Sequence, residues 1–276
     1  ALPVLLFYKV AKAPIGLENT NSFFWGMFAG TVASIGGMYL VALLLRVPGS
    51  AKGVLVQASF RGNLAFLGLP IVVYTCRQLP DVNPEAMEAT IVLAMTPIVI
   101  IYNIASIAAL IFHNDAIDRS RVVRHMAMGL FSNPIMISCL LGLTFNLSGL
   151  ELPMLVDRTC ETLSPAAFPL ALLAIGSQLS ETAVKKQHLA WALAASLMKI
   201  VLSPLAALWV GHTLGMSHSE LKILLLMAGM PTAVSSYVLA DQLKADAPLS
   251  AGVVMVCTIL CFISLSVILI WPEGGF

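Results

Sequence analysis

Two cations, Arg61 and Lys199, stand inside long apolar stretches of this chain. Burying such a group in hydrocarbon costs about 2.5 kcal/mol or more, so its presence marks a function by default. All fourteen acids fall in loops or near the ends of the stretches, and no buried acid is expected at the depth of the cations. A cation carrier or a carboxylate relay needs acids there. An excess of buried positive charge instead suits an anion, whose carboxylate completes the pair. Uncharged groups able to orient a carboxylate stand nearby in sequence: Asn63, two residues from Arg61, and further on Thr232, Ser235 and Ser236. Each has a plainer reading. Arg61 or Asn63 could bond backbone freed where a helix breaks, and Lys199 could snorkel or pair with a loop acid. The hydroxyls could bond their own helix four residues back. Cys76, Cys139, Cys160, Cys257 and Cys261 show no framework or ligand spacing, and the histidines lack metal-ligand company. No metal, cofactor or catalytic dyad is expected, and the chain is not expected to be an enzyme. A net charge of +1 offers no surface for nucleic acid.

These residues must be held by elements that suit lipid. The chain of 276 residues is 59% apolar and only 11% charged, whereas soluble domains carry charge on about a quarter of their residues. Mean hydropathy is +0.92. Eight runs are long enough to span a bilayer: 21–45, 53–76, 88–112, 126–147, 161–180, 190–214, 220–240 and 249–271. Eight in series with nothing amphipathic to cover them imply an all-α membrane bundle surrounded by lipid. Strict alternation is absent, so a β-barrel is not expected. A shorter run opens the chain at Ala1 and ends near Ala11, with Lys9 and Lys12 at its far end. It reads as part of a span, and the chain is expected to begin inside a longer protein. One set of loops holds Arg46, Lys52, Arg119, Arg121, Arg124, Lys185, Lys186 and Lys244, and the opposite set holds Lys9, Lys12, Arg77, Arg158 and Lys222. The first set is the more basic and is expected to be cytoplasmic.

A shift of 161 residues lays Gly68-Leu69-Pro70 on Gly229-Met230-Pro231 and the run 88–112 on 249–271. The repeating unit is then five helices, and the run 126–147 lacks only its partner before Ala1. Five is odd, so the second copy enters the membrane from the other side. The expected architecture is a ten-helix inverted five-helix repeat with two crossing broken helices, nine helices being present here and the first missing. Its parts are repeat 1 over 1–112, a cytoplasmic loop over 113–125 and repeat 2 over 126–276. Such repeats point to secondary transporters. Proline should break both helices at Gly68–Pro70 and Gly229–Pro231. Amides freed near Leu69–Val72 and Met230–Val234 should then face a shared cavity and help to hold an anion.

With these residues in view, the chain resembles the auxin efflux carrier family, within the bile acid, arsenite and auxin carrier superfamily. The resemblance rests on Ser59-Phe60-Arg61-Gly62-Asn63-Leu64-Ala65-Phe66-Leu67-Gly68-Leu69-Pro70, on Ser132-Asn133-Pro134, on the stretch from Pro165 to Gly176, and on Met230-Pro231-Thr232-Ala233-Val234-Ser235-Ser236-Tyr237-Val238-Leu239-Ala240. It covers essentially the whole chain, and Arg61-Gly62-Asn63 and Thr232-Ala233 match the bacterial branch best. The resemblance implies a scaffold body and a mobile body that moves as an elevator, and a place in the bacterial inner membrane. It implies a small organic anion as substrate, such as malonate, malate or an auxin-like acid, with homodimerisation left open. Carried over by position, the crossover residues are Asn63, Gly68, Pro70, Gly229 and Pro231, and the cavity-facing pair is Asn133 and Pro134. Plant members continue that pair with a second Asn. Here Ile135 follows, which counts against an aromatic substrate. A sodium-coupled symporter of the bile-acid type is the alternative.

Overall fold

The computed structural model describes residues 2–12, 19–113, 134–167 and 188–271, together with 169, 170, 173, 176 and 177. Asn133 and the cytoplasmic loop expected over 113–125, apart from His113, lie outside the described residues. Every named element is helical. In chain order they are α1 (Leu2–Ala11), α2 (Thr20–Leu44), α3 (Gly49–Phe60), α4 (Leu69–Cys76), α5 (Pro84–Phe112), α6 (Pro134–Leu147), α7 (Met154–Leu163), α8 (Leu189–Thr213), α9 (His218–Ala228), α10 (Ser235–Gln242) and α11 (Ala247–Ile270). Of these, α2, α5, α8 and α11 are long and apolar enough to cross a membrane. Their outer faces carry Leu43, Leu44, Phe262 and Ile263, each about two-thirds exposed. Such a surface is suited to lipid tails rather than water. The protein is an all-α, multi-helix membrane protein.

Helix starts follow local chemistry. The side chain of Asn83 accepts from the amides of Glu85 and Ala86 ahead of Pro84 in α5. Ser217 and Glu220 form a reciprocal capping box on α9. Proline placement is less simple than the sequence suggests. Pro97 sits inside α5 without ending it. Pro70 and Pro204 each follow a π-helical turn, Leu64–Gly68 and Met198–Leu202. In both places the next amide reaches back five residues, Leu69 to the Leu64 carbonyl and Ser203 to the Met198 carbonyl. The wider turn accommodates the donor that proline lacks, and the helix continues.

α2 and α8 share local features. α2 has 25 residues and so does the α8 span. Both end in the same tight turn, with the Val47 amide on the Ala42 carbonyl (2.9 Å) and the Met216 amide on the Gly211 carbonyl (3.1 Å). The turn residues Arg46 and Gly215 both take positive φ, 50° and 70°. This pattern of bonds is the Schellman motif. α2 and α8 start 169 residues apart, whereas α5 and α11 start 163 apart. The single shift of 161 read from the Gly-x-Pro pairs therefore does not hold along the chain.

Packing is close where α2 crosses α8 and α9. A Cβ added to Gly30 would lie 2.7 Å from the Ser203 carbonyl, and one on Gly26 would meet Leu224. Small residues at this spacing let helices in lipid approach closely. Replacing Gly30 with valine should destabilise the fold by about 2 kcal/mol through overpacking against backbone. A lower melting temperature in detergent would show it.

α1, α6 and α7 form a second group. α1 packs mainly on α6 and also on α7, and the group meets the larger one chiefly through α5. Lys12, just beyond α1, sits 2.5 Å from Asp157 of α7. Their hydrogen bond raises the Lys12 pKa and lowers that of Asp157.

Candidate functional site

The second interrupted helix breaks where expected. α9 ends at Ala228, Gly229 caps it, and Met230–Ala233 run extended before α10. The first breaks elsewhere. α3 ends at Phe60, and the non-helical stretch is Arg61-Gly62-Asn63, several residues before Pro70. Gly68 and Pro70 thus lie in the helical turns after the break, not in it. Gly68 serves close contact instead: a Cβ there would come within 3.1 Å of Met230 and 3.2 Å of Met227, on the other interrupted helix.

The two extended stretches meet. Gly62 pairs with Thr232 in an isolated antiparallel bridge. The Asn63 amide donates to the Pro231 carbonyl, and the Ala233 amide to the Arg61 carbonyl, each at 2.8 Å. This pairing alters the chemistry expected from the sequence. The amides of Leu69, Met230, Thr232 and Ala233 all find acceptors inside the protein, so they are not held open for an anion. In a water-poor interior the two broken segments satisfy one another.

The carbonyl ends of α3 and α9 are also capped. Thr232 Oγ1 donates to the Ala58 carbonyl at 2.7 Å. Gln57 Nε2, on the same helix end, donates to the Ser236 carbonyl at 2.9 Å. Lys199 Nζ donates to the Ala228 carbonyl, joined there by Ser203 Oγ at 3.2 Å. Lys199 is fully buried, so it neither snorkels nor meets a loop acid. A cation at a helix C-terminus is favourably placed. A Cβ on Gly62 would come within 3.3 Å of Lys199 Nζ, so the ammonium lies against the bridge itself.

Arg61 is 9% exposed. Its Nη2 donates to Asn103 Oδ1 on α5 at 2.7 Å, while Nη1 is buried with no partner among the described residues. Neither Arg61 nor Lys199 joins an ion pair among the described residues. Asn63 is buried, and its side-chain amide makes no hydrogen bond among the described residues. The remaining candidates are less central. Ser235 is exposed at the start of α10, and Pro134 is exposed at the start of α6. Pro70 lines a cavity of about 470 Å³ with Tyr8, Lys9, Tyr74, Arg77 and Glu161.

Sequence reasoning missed three groups. Asn103 and Gln57 are amides within apolar runs, and that position alone is a usable signal. Glu88 shows that an acid near the end of a run can still be buried. It is 2% exposed in the first turns of α5 and pairs with Lys9 of α1. Its place near a helix end hid a burial that only the packing of α1 against α5 creates.

Comparison with known proteins places the chain among membrane transporters. The profile of the family described as "Membrane transport protein" matches residues 85–269. An uncharacterized transporter of Methanocaldococcus jannaschii is 24% identical over 89% of this chain and 74% of its own length. An uncharacterized transporter of Methanothermobacter thermautotrophicus is 26% identical over 96% of this chain and 83% of its own. The chain belongs to the membrane transport protein family of the auxin efflux carriers, and is a multi-pass membrane transporter rather than an enzyme.

Proposed function

We propose that this protein is a secondary transporter of a small organic anion, a mono- or dicarboxylate such as malonate or malate, bound where the two interrupted helices meet. The observation that carries this reading is the Gly62–Thr232 bridge with two buried cations, Arg61 and Lys199, beside it and no acid paired to either among the described residues. An entering carboxylate supplies the missing negative charge, and Asn63 orients it. The architecture proposed is the inverted five-helix repeat, with repeats over 1–112 and 126–276 joined by a cytoplasmic loop over 113–125. The shared turn at the ends of α2 and α8 supports it. The proposed transport step is movement of one helix group against the other, supported by the contact of α1, α6 and α7 with the rest chiefly through α5 among the described residues. The proposed location is the bacterial inner membrane.

Uptake of labelled malonate by proteoliposomes tests this. Saturable uptake is expected. Replacing Asn63 with alanine should weaken it roughly ten-fold, the loss expected for a hydrogen bond to a charged group, while the backbone bonds at Asn63 keep the bridge intact. Unchanged uptake would remove the crossing from the mechanism. Uptake that tracks sodium would favour the bile-acid type of symporter, and flux that never saturates would indicate a channel.

A further inference from the structure

The two cations at the crossing are not equivalent. Lys199 is enclosed and committed: its ammonium closes the carbonyl end of α9 at Ala228 and abuts Gly62. Its geometry accounts for its charge as a cap. Arg61 is only half accounted for. One terminal nitrogen is held by Asn103, and the other is buried without an acceptor among the described residues. Buried donors are almost always satisfied, and an exception calls for a reason. Guanidinium favours carboxylate because it presents several N–H groups in one plane. Asn103 sets the direction of that plane. It offers a neutral oxygen, so it orients Arg61 without cancelling the charge. An aspartate in its place would keep the bond and remove the charge.

Resting on the proposed function, we infer that Arg61 is the carboxylate receptor of the site, through Nη1, and that Asn103 is the positioning residue that aims it and leaves it uncompensated. Lys199 then serves the crossing rather than the substrate. Because Nη1 is enclosed, the arriving carboxylate reaches it only after a change of local packing. The site therefore selects a ligand with an ionised carboxylate and disfavours its amide or ester.

The test is Asn103→Asp and Asn103→Leu in the purified chain, with thermal stability measured alone and with malonate, succinate, pyruvate or malonamide. In wild type the carboxylates should raise the melting temperature and malonamide should not. Asn103→Asp should melt higher than wild type without ligand, because Arg61 gains an internal partner, and should lose at least ten-fold in apparent carboxylate affinity. Asn103→Leu should melt lower and keep weakened carboxylate binding. If Asn103→Asp binds carboxylates as tightly as wild type does, the inference is overturned while the anion reading stands. If wild type is stabilised by none of the carboxylates, the anion reading fails first. If Asn103→Asp gains no stability over wild type, Arg61 already has its counter-charge and the inference is again overturned.

Discussion

Replacing Arg61 with glutamine should lower saturable malonate uptake by roughly 100-fold while the protein still folds. The size follows from losing a charge-assisted hydrogen bond, about 3 kcal/mol in a poorly solvated site. Folding should survive because the backbone of Arg61, not its side chain, builds the crossing. Its amide caps α3 through the Gln57 carbonyl, and its carbonyl accepts from Ala233. Glutamine keeps both backbone bonds, and its shorter side chain gives up only the contact with Asn103. Removing a buried charge also relieves a desolvation penalty, which works against any loss of stability. Transport rate in proteoliposomes and melting temperature in detergent separate the two effects. A fall in both together would mean that the guanidinium holds the fold rather than a ligand.

Thr232→Val should have the largest effect on stability, about 3 kcal/mol, because it strands the buried Ala58 carbonyl with no water to replace the lost donor. The side chains are nearly the same size, and Thr232 is 1% exposed, so little change in packing accompanies the loss. Thr232→Ser keeps the hydroxyl and should recover most of the stability. The melting temperatures of the two variants check this. A loss in Thr232→Ser with none in Thr232→Val would show that the methyl group, not the hydroxyl, matters at this position.

The membrane class and the long spans were legible because hydrocarbon demands unbroken apolar length, as in the runs that became α2, α5, α8 and α11. Arg61 and Lys199 were legible as well, since cations stand out against such runs. The first break was not. Proline drew attention to Gly68–Pro70, yet the chain leaves the helix at Arg61-Gly62-Asn63, where there is no proline at all. The reason is tertiary: extended backbone at that point has Pro231–Ala233 to pair with, and the π-helical turn leaves Pro70 nothing to break. The roles of the two cations were equally hidden. Capping a helix end fell to Lys199, which lies far along the chain from Ala228 but touches it. Glu88 and Asn103 acquire their meaning only from the helices that α5 packs beside, α1 and the end of α3.

The most direct test of the crossing as an anion site is an experimental structure determined with malonate bound. A carboxylate oxygen is expected within hydrogen-bonding distance of Arg61 Nη1, with the side-chain amide of Asn63 on the same ligand. Malonate seated instead in the cavity between Tyr8 and Arg77, with neither Arg61 nor Asn63 touching it, would contradict the account.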